Sequence, residues 1–543
     1  MTSLSRQTIL RRLMKSGLQI APDALDQIMK MTSPEEAIEE LVRTTNQLQH
    51  PTVISQDYLA AVLEGRTKAS KRPTEIEVDQ FDSSDIDDPE EIEEEAQSHA
   101  IVIIKNPSME SVASEGTVED FLALFKDRFR RIKQIYMRRV DTQDAVPLSV
   151  LRQDGSDMRQ RELLVKEGVR SRRPSVQKGI GLVKNKSVSR SRNVIVELED
   201  AESTILCVVP ASRTGLKGKE LAHKGNSILL DEVICVSGRV DQDARMIAED
   251  VIFPDIPTAR DPGRASRDVY AAFISDIHCG SKEFLEDEFD SFIDWISGHN
   301  YLPSEKDMVS KIRYLFIAGD LVDGVGVYPT QKPDLLLTSI YDQYDHLAEK
   351  LAQIPDHIKI LCIPGNHDAV RQALPKPPIP EDFAAPLYEL GDKMIMLGDP
   401  SHVTVEGVNI LLTHGDSIDD LVTNIPGASY ADPATPMKSL LKKRHLVPLY
   451  GGKTELAPLH RDWMVIDTPP DVVHFGHAHH YAVDNYRGVQ IVNSGTFQSQ
   501  TEFMRKQGIE PTPGMVTLLN LRTGAPTLKF FYDVERIEVS SKS

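Results

Sequence analysis

The sequence predicts an α/β chain whose C-terminal half holds two packed sheets flanked by helices, preceded by a small β-barrel and a short N-terminal helical module. Three patterns carry that expectation. Apolar, β-branched-rich runs at residues 270–274, 312–317, 358–363, 408–412, 472–475 and 489–492 alternate with helical stretches at 284–295 and 339–354, as buried strands and covering helices do. Between residues 175 and 257 the apolar segments shorten and are punctuated by Gly, Ser, Asn and Asp, the mark of strands and turns. At 543 residues the chain exceeds what one hydrophobic core organises, so several domains are expected.

Residues 1–65 read as a helical partner-binding module. Ile9, Leu10, Leu13, Met14 and Leu18 recur at helical spacing. Ser33-Pro34-Glu35-Glu36 combines an N-cap serine, proline at the first helical position and glutamate at the third. Residues 66–115 read as an acidic disordered linker, because the twelve acidic residues from Glu75 to Glu95 meet no basic one and too little apolar surface accompanies them to offset the entropy of ordering. The formal charge of −20 is therefore partly a property of that segment.

Residues 116–174 form a basic helix and connector. Phe121, Leu122, Leu124, Phe125, Phe129, Ile132 and Ile135 mark an inner face, whereas Lys126, Arg128, Arg130, Arg131, Lys133, Arg138 and Arg139 are placed largely outside. Such a face suits nucleic acid, an acidic partner or plain solvation. The five or so strands of residues 175–257 fit an OB-type β-barrel, with Lys184, Lys186, Arg190 and Arg192 on its first hairpin, where contact with DNA or with protein is expected. The four cysteines are scattered without a C-x-x-C pair, and no apolar run approaches the length of a membrane span. A cytoplasmic protein without membrane contact is the expectation.

Residues 267–535 carry the chemistry. Asp276-Ile277-His278, Gly319-Asp320, Gly365-Asn366-His367-Asp368, His414-Gly415-Asp416 and Gly476-His477-Ala478-His479 each follow a strand-like run, which sets their side chains on loops at one rim of the sheets. Singly such motifs are ordinary turns. Together they offer enough oxygen and nitrogen donors for two adjacent metal ions and leave one histidine for proton transfer, an arrangement suited to phosphoester hydrolysis. Mixed imidazole and carboxylate donors favour manganese, with magnesium, iron or zinc as alternatives.

The order D-x-H, G-D, G-N-H-D, H and G-H-x-H resembles the calcineurin-like metallophosphoesterase superfamily. That resemblance implies that Asp276, His278 and His479 hold one metal, that Asn366, His414 and His477 hold the other, and that Asp320 bridges them. It also places His367 beside the leaving-group oxygen as a proton donor, with Asp368 orienting its ring. Protein phosphatases of this fold carry an arginine after the second aspartate of G-D-x-x-D, where this chain has Gly324, so that branch does not fit. Break-repair nucleases place the phosphoesterase domain first, and here other modules precede it.

The whole arrangement resembles the small subunits of archaeal family-D DNA polymerases. Beyond the metal motifs the likeness includes Ile195-Val196-Glu197-Leu198-Glu199-Asp200, Ile252-Phe253-Pro254-Asp255-Ile256-Pro257, Ser417-Ile418-Asp419-Asp420 and Leu440-Leu441-Lys442-Lys443-Arg444-His445-Leu446-Val447-Pro448. His480, directly after a ligand, and Asp416, where many relatives have arginine, depart from the pattern. The resemblance implies a 3′→5′ exonuclease acting on single-stranded DNA and mismatched primer ends of primer-template DNA. Its implied partner is the large catalytic subunit, which synthesises DNA. Related eukaryotic subunits have lost the ligands and serve as scaffolds, whereas this chain keeps them. Lys438, Lys442, Lys443 and Arg444 lie between two ligand loops and are expected to meet the DNA backbone, unless they are a solvated helix face. A noncatalytic scaffold subunit and a free-standing phosphodiesterase are the alternative readings.

Overall fold

A computed structural model of the chain describes residues 101–153, 155, 175–211 and 215–532, with isolated positions before residue 101. Apart from those positions, the helical module placed at 1–65, the acidic segment up to residue 100 and the connector 156–174 lie outside the described residues. Contacts divide the chain into Met1–Asp87 and Asp88–Ser543. The architecture below belongs to the second unit.

Of the segment 66–115 expected to be a disordered linker, residues 101–115 are described, and they are built into the fold. Strand β1 (Val102–Lys105) pairs antiparallel with residues 402–404, and Val112 is buried. The reason is local composition: Ile101-Val102-Ile103-Ile104 is β-branched and uncharged, so it fits the edge of a sheet. Helix α1 (Val118–Met137) follows. Its N-terminus is closed by a reciprocal pair, in which Thr117 accepts from the Asp120 amide and Asp120 accepts from the Thr117 amide.

Helix α1 does not present all of its basic residues outward. Arg128 is fully buried, donating from Nε to Asp462 Oδ2 at 2.6 Å and from Nη1 to the carbonyls of Pro448 and Asp231 at 2.7 and 2.8 Å. Arg131 is also buried between Asp127 and Asp467. The planar guanidinium fork can satisfy several acceptors at once, which lets these arginines tie the helix to distant loops. Lys126, Arg130 and Arg138 remain exposed.

The barrel comprises β2 (Gln177–Val188), β3 (Val194–Glu199), β4 (Thr204–Val209), β5 (Val233–Val240) and β6 (Met246–Ile252). It closes in the order β2-β3-β4-β6-β5, with helix α2 (Gly215–Asn226) inserted between β4 and β5. Val183, Val196, Leu198, Cys207, Ile234, Val236 and Met246 fill its interior. Inward residues alternate along β3, where Val194, Val196 and Leu198 are buried, as the two-residue period of a strand requires.

The remainder is built on two six-stranded sheets. The first contains β7 (Tyr270–Ile274), β8 (Ile312–Ala318), β9 (Lys359–Ile363), β10 (Met394–Met396), β16 (Met515–Asn520) and β17 (Pro526–Phe530), in the order β10-β9-β8-β7-β16-β17. The second contains β1, β11 (Ser401–Val405), β12 (Val408–Leu412), β13 (Val472–Phe475), β14 (Ala482–Tyr486) and β15 (Val489–Asn493), in the order β14-β15-β13-β12-β11-β1. Strands β7 to β10 are parallel, as are β12, β13 and β15. Phe273, Phe316, Leu361, Ile410, Leu412 and Val492 meet between the sheets. Helices α3 (Glu286–Ile296) and α4 (Ile340–Ala352) cover the first sheet with Phe289, Phe292, Trp295, Tyr344 and Leu347. Helices α5 (Ile418–Asn424) and α6 (Ala434–Lys443) join the core that includes Val473, Phe475 and Ile491 of the second sheet. The expected α/β class with two packed, helix-flanked sheets is therefore present, together with the closed five-stranded barrel.

Candidate metal centre

Five loops converge where the parallel strands of both sheets end. Asp276 and His278 follow β7, Asp320 follows β8, Asn366 and His367 follow β9, His414 follows β12, and His477 and His479 follow β13. Asp276, His278, Asp320, His477 and His479 all adopt left-handed backbone angles, with φ of 52°, 52°, 50°, 64° and 52°. That conformation costs a non-glycine residue roughly 1–2 kcal/mol, and such strain clusters where side chains are aimed for function. Glycine supplies the room: a Cβ on Gly319 would stand 2.6 Å from both the Gly365 nitrogen and His414 Nδ1.

The side chains form two neighbouring cradles. In the first, His479 Nε2 lies 3.1 Å from His278 Nε2 and 3.3 Å from Asp276 Oδ1, and His278 Nε2 lies 3.6 Å from Asp320 Oδ2. In the second, Asn366 Oδ1 lies 3.0 Å from His414 Nε2 and 3.1 Å from His477 Nδ1. Asp320 belongs to both, since the same Oδ2 is 3.3 Å from His414 Nε2. Its other oxygen accepts from the His367 amide at 2.8 Å. Every residue expected as a ligand is thus brought to one site.

The donor chemistry fits cations. His414 Nδ1 donates to the Ala318 carbonyl at 2.7 Å, so in a neutral ring Nε2 would turn a lone pair toward the oxygens of Asn366 and Asp320. Lone pairs facing one another need a proton or a metal between them. Burial opposes a charge on His414, but Asp320 and Asp276 outweigh it and push its pKa up to about 10. Burial likewise opposes ionisation of Asp320, yet His414, His367 and His278 hold it well below its ordinary range.

The far nitrogens of these rings are anchored by residues that lie inside the motifs but were given no role from sequence. Asp323 Oδ1 accepts from His278 Nδ1 at 3.0 Å, and Asp419 Oδ1 pairs with His477 Nε2 at 3.1 Å. Carboxylate partners of this kind fix the tautomer and direction of a ligating imidazole. Asp419 also accepts from the Tyr430 hydroxyl at 2.8 Å. Burial would raise its pKa, but His477 and Tyr430 bring it down to about 2. The second aspartate of Gly319-Asp320-Leu321-Val322-Asp323 and the first of Ser417-Ile418-Asp419-Asp420 were the available signals.

His367 is half-buried, and its Nδ1 donates to the Asp323 carbonyl at 2.7 Å, which leaves Nε2 for other work. Asp368 has a different task from the one expected. Its carboxylate accepts from the Gly365 and Leu321 amides at 2.8 and 3.3 Å and from the Tyr344 hydroxyl at 3.1 Å, bracing the loops rather than the His367 ring. Burial, with the like charge of Asp320, raises its pKa.

Asp416 is paired with fully buried Lys376, whose Nζ lies 2.7 Å from Asp416 Oδ2. Nearby Asp399 accepts from the His414 amide at 3.1 Å, and burial lifts its pKa to about 6. Asp416 is therefore neutralised by a lysine from another loop. His480 turns away from the donors, its Nδ1 lying 3.2 Å from the Tyr481 carbonyl.

The basic cluster expected to meet DNA is largely committed to the protein. Lys443 is buried against Glu232 Oε2 at 2.6 Å and the Ser227 carbonyl at 2.8 Å. Arg444 is buried and donates to the carbonyls of Ile466, Asp255 and Asp467. Lys442 lies over the Phe253 ring at 4.7 Å, and Lys438 pairs with Asp484. Lys442 and Lys443 join the barrel to the sheets, because Ser227, Glu232 and Phe253 belong to the barrel region. Among the described residues, no helix is long and apolar enough to cross a membrane.

The family model for the B subunits of DNA polymerases alpha and epsilon matches residues 271–483. The chain is similar to the DNA polymerase II small subunit of Archaeoglobus fulgidus, with 35% identity over 536 residues that cover 97% of this chain and 99% of that protein. It is also similar to the DNA polymerase II small subunit of Methanocaldococcus jannaschii, with 41% identity over 407 residues, 75% of this chain, and spans 64% of that relative's length. Among solved structures, a novel archaeal phosphodiesterase aligns with 48% of this chain and 99% of its own length, at 12% identity and a TM-score of 0.25.

Proposed function

Since the chain belongs to the family of DNA polymerase II small subunits, we propose that it is a 3′→5′ exonuclease and assembly subunit of a heteromeric replicative DNA polymerase, partnered by a large catalytic subunit. Its substrate is single-stranded DNA, including the frayed or mismatched primer end of a primer-template. The observation that carries this reading is the complete set of donors in two cradles sharing Asp320. A scaffold that had given up catalysis would not need to hold five non-glycine residues, all of them expected ligands, in left-handed conformations. The small barrel is read as an OB-type module whose role is assembly as much as DNA contact.

Asp276, His278, Asp320 and His479 would hold one divalent cation, and Asp320, Asn366, His414 and His477 a second, with Mn2+ the first choice. Bound there, the pair would neutralise phosphate charge and lower the pKa of a water. The chain's own residues do the rest. Asp323 and Asp419 keep the rings aimed, and the Ala318 carbonyl holds His414. His367, with Nδ1 occupied by the Asp323 carbonyl, turns Nε2 to the departing oxygen and, when protonated, donates its proton there. Water oxygen bonds to phosphorus, the bond from phosphorus to the 3′ oxygen breaks, and that oxygen leaves protonated.

Manganese-dependent hydrolysis of single-stranded DNA by the full chain tests this reading. Wild type should degrade the strand, and Asp320→Ala should be inert while still associating with the large subunit. Equal hydrolysis by both would overturn the site assignment.

A further inference from the structure

From the metal donors to the surface runs a file of four rings. His278 and His367 meet edge to face at 4.6 Å, and His367 and Tyr328 at 6.4 Å. Tyr328 and Phe503 are stacked at 6.3 Å with 25° between their planes. Tyr328 is held in place, since its hydroxyl donates to Asp334 Oδ2 at 3.1 Å while the neighbouring Val327 amide donates to Gln331 Oε1 at 2.9 Å. Phe503 lies on the short helix α7 (Glu502–Gln507) and is 58% exposed. Its ring thus rests on a fixed second ring and leaves much of itself to solvent. A side chain that buries so little contributes little to the core, so its aromatic face is free for a flat partner.

We propose that Phe503, backed by Tyr328, is the platform on which a nucleobase of the strand being degraded stacks, and that this contact holds the adjoining phosphodiester against the metal donors and His367. The inference rests on the nuclease reading above and deepens it. Position favours a nucleobase over a protein partner: the platform continues directly from His367, which faces the departing oxygen, so the next base along the strand is the nearest flat, apolar group available. Beside Phe503 on the same helix, exposed Lys506 pairs with Glu502 at 2.7 Å and exposed Arg505 donates to the Gln500 carbonyl at 3.3 Å, so cationic groups stand next to the ring where the strand's phosphates would pass. Stacking of this kind tolerates any base, because every base has a π-face. It requires an unstacked base, which gives single strands and frayed ends an advantage over intact duplex.

The test uses the full chain with Mn2+ and 5′-labelled oligonucleotides, either intact or carrying abasic residues at the two 3′-terminal positions. Phe503→Ala should raise KM on intact strands by about five- to a hundred-fold with little change in kcat, which is the effect of losing one stacked base. On the abasic strands wild type and Phe503→Ala should be equal, and Phe503→Trp should restore KM on intact strands. Equal losses on both kinds of strand would overturn the platform. So would an unchanged KM, or a loss of binding to the large subunit in place of the strand effect. Fluorescence anisotropy of the same strands is measured in parallel. If wild type hydrolyses neither strand, the nuclease reading fails, and the anisotropy still decides the platform: a Phe503→Ala binding deficit confined to intact strands supports it, and none contradicts it.

Discussion

Asp323→Asn removes one charge and almost no volume, so it isolates what the carboxylate does for His278. Three donors point at that carboxylate. His278 Nδ1 and Gln498 Nε2 each lie 3.0 Å from Oδ1, and Gln331 Nε2 lies 3.0 Å from Oδ2. Burial opposes ionisation of Asp323, yet the hydrogen bond and charge of His278 with the Gln331 amide keep its pKa below the usual range. An asparagine offers one oxygen and one NH2 group, so whichever way it turns, at least one buried donor faces another donor. That loss costs about 1–3 kcal/mol of folding stability. The bond to His278 also ceases to be charge-assisted if it is kept, or disappears if the amide turns, so the ring loses its aim. Loss of such an anchor lowers metal affinity by about 10–100-fold. Mn2+ titration calorimetry on the metal-stripped full chain and urea unfolding measure the two effects. An affinity within about twofold of wild type would show that Asp323 does not orient the ligand.

Four other outcomes follow from the same geometry. His367→Ala should lower turnover of single-stranded DNA by about 10²–10⁴-fold while Mn2+ binding stays at the wild-type level, and turnover close to wild type would remove His367 from the reaction. Lys443→Met should cost about 3–5 kcal/mol in urea unfolding because it strands buried Glu232, and a Lys443→Met, Glu232→Met double variant should recover part of that, the remainder being the buried Leu229 amide that Glu232 Oε1 accepts at 2.7 Å. The salt dependence of strand binding by the double variant should match wild type, and a shallower slope would return Lys443 to the DNA surface. His474 is buried beside Ser494, and burial takes its pKa down to about 3. It stays neutral in the fold, whereas the unfolded chain takes up its proton below about pH 6.5, so its contribution is complete above that pH and is lost at about 1.4 kcal/mol per unit as pH falls toward 3. Between pH 6.5 and 5, His474→Gln should lose about 2 kcal/mol less than wild type, and equal losses would contradict the assignment.

The rim that gathers the expected metal donors was legible in the sequence because each of its parts is local. A strand such as Ile312–Ala318 announces itself by an unbroken apolar run, and Gly319-Asp320 immediately after it places the ligand at the strand end. Contacts over long separations were not legible. Nothing near Arg128 shows that Asp462 will neutralise it, nor near Lys443 that Glu232 will, so both were read as surface charge although each is buried. A basic residue inside a helix pattern looks the same whether its partner is water or a carboxylate hundreds of residues away. Residues 101–105 were hidden for a different reason: they adjoin an acidic tract, and their partner strand at 401–405 appears only once the sheet is formed. Asp323 and Asp419 sat inside recognisable motifs, yet their task depends on which ring nitrogen faces them, a property of three-dimensional aim.

The most direct measurement is the polarity of digestion. Single-stranded DNA labelled at its 5′ end is incubated with the full chain and Mn2+, alone and with the large subunit, beside Asp320→Ala. The account predicts a ladder of labelled products shortening one nucleotide at a time in wild type and an intact strand in the variant. A strand left whole by Mn2+-loaded wild type in both settings, or one cut first at internal positions, would contradict it.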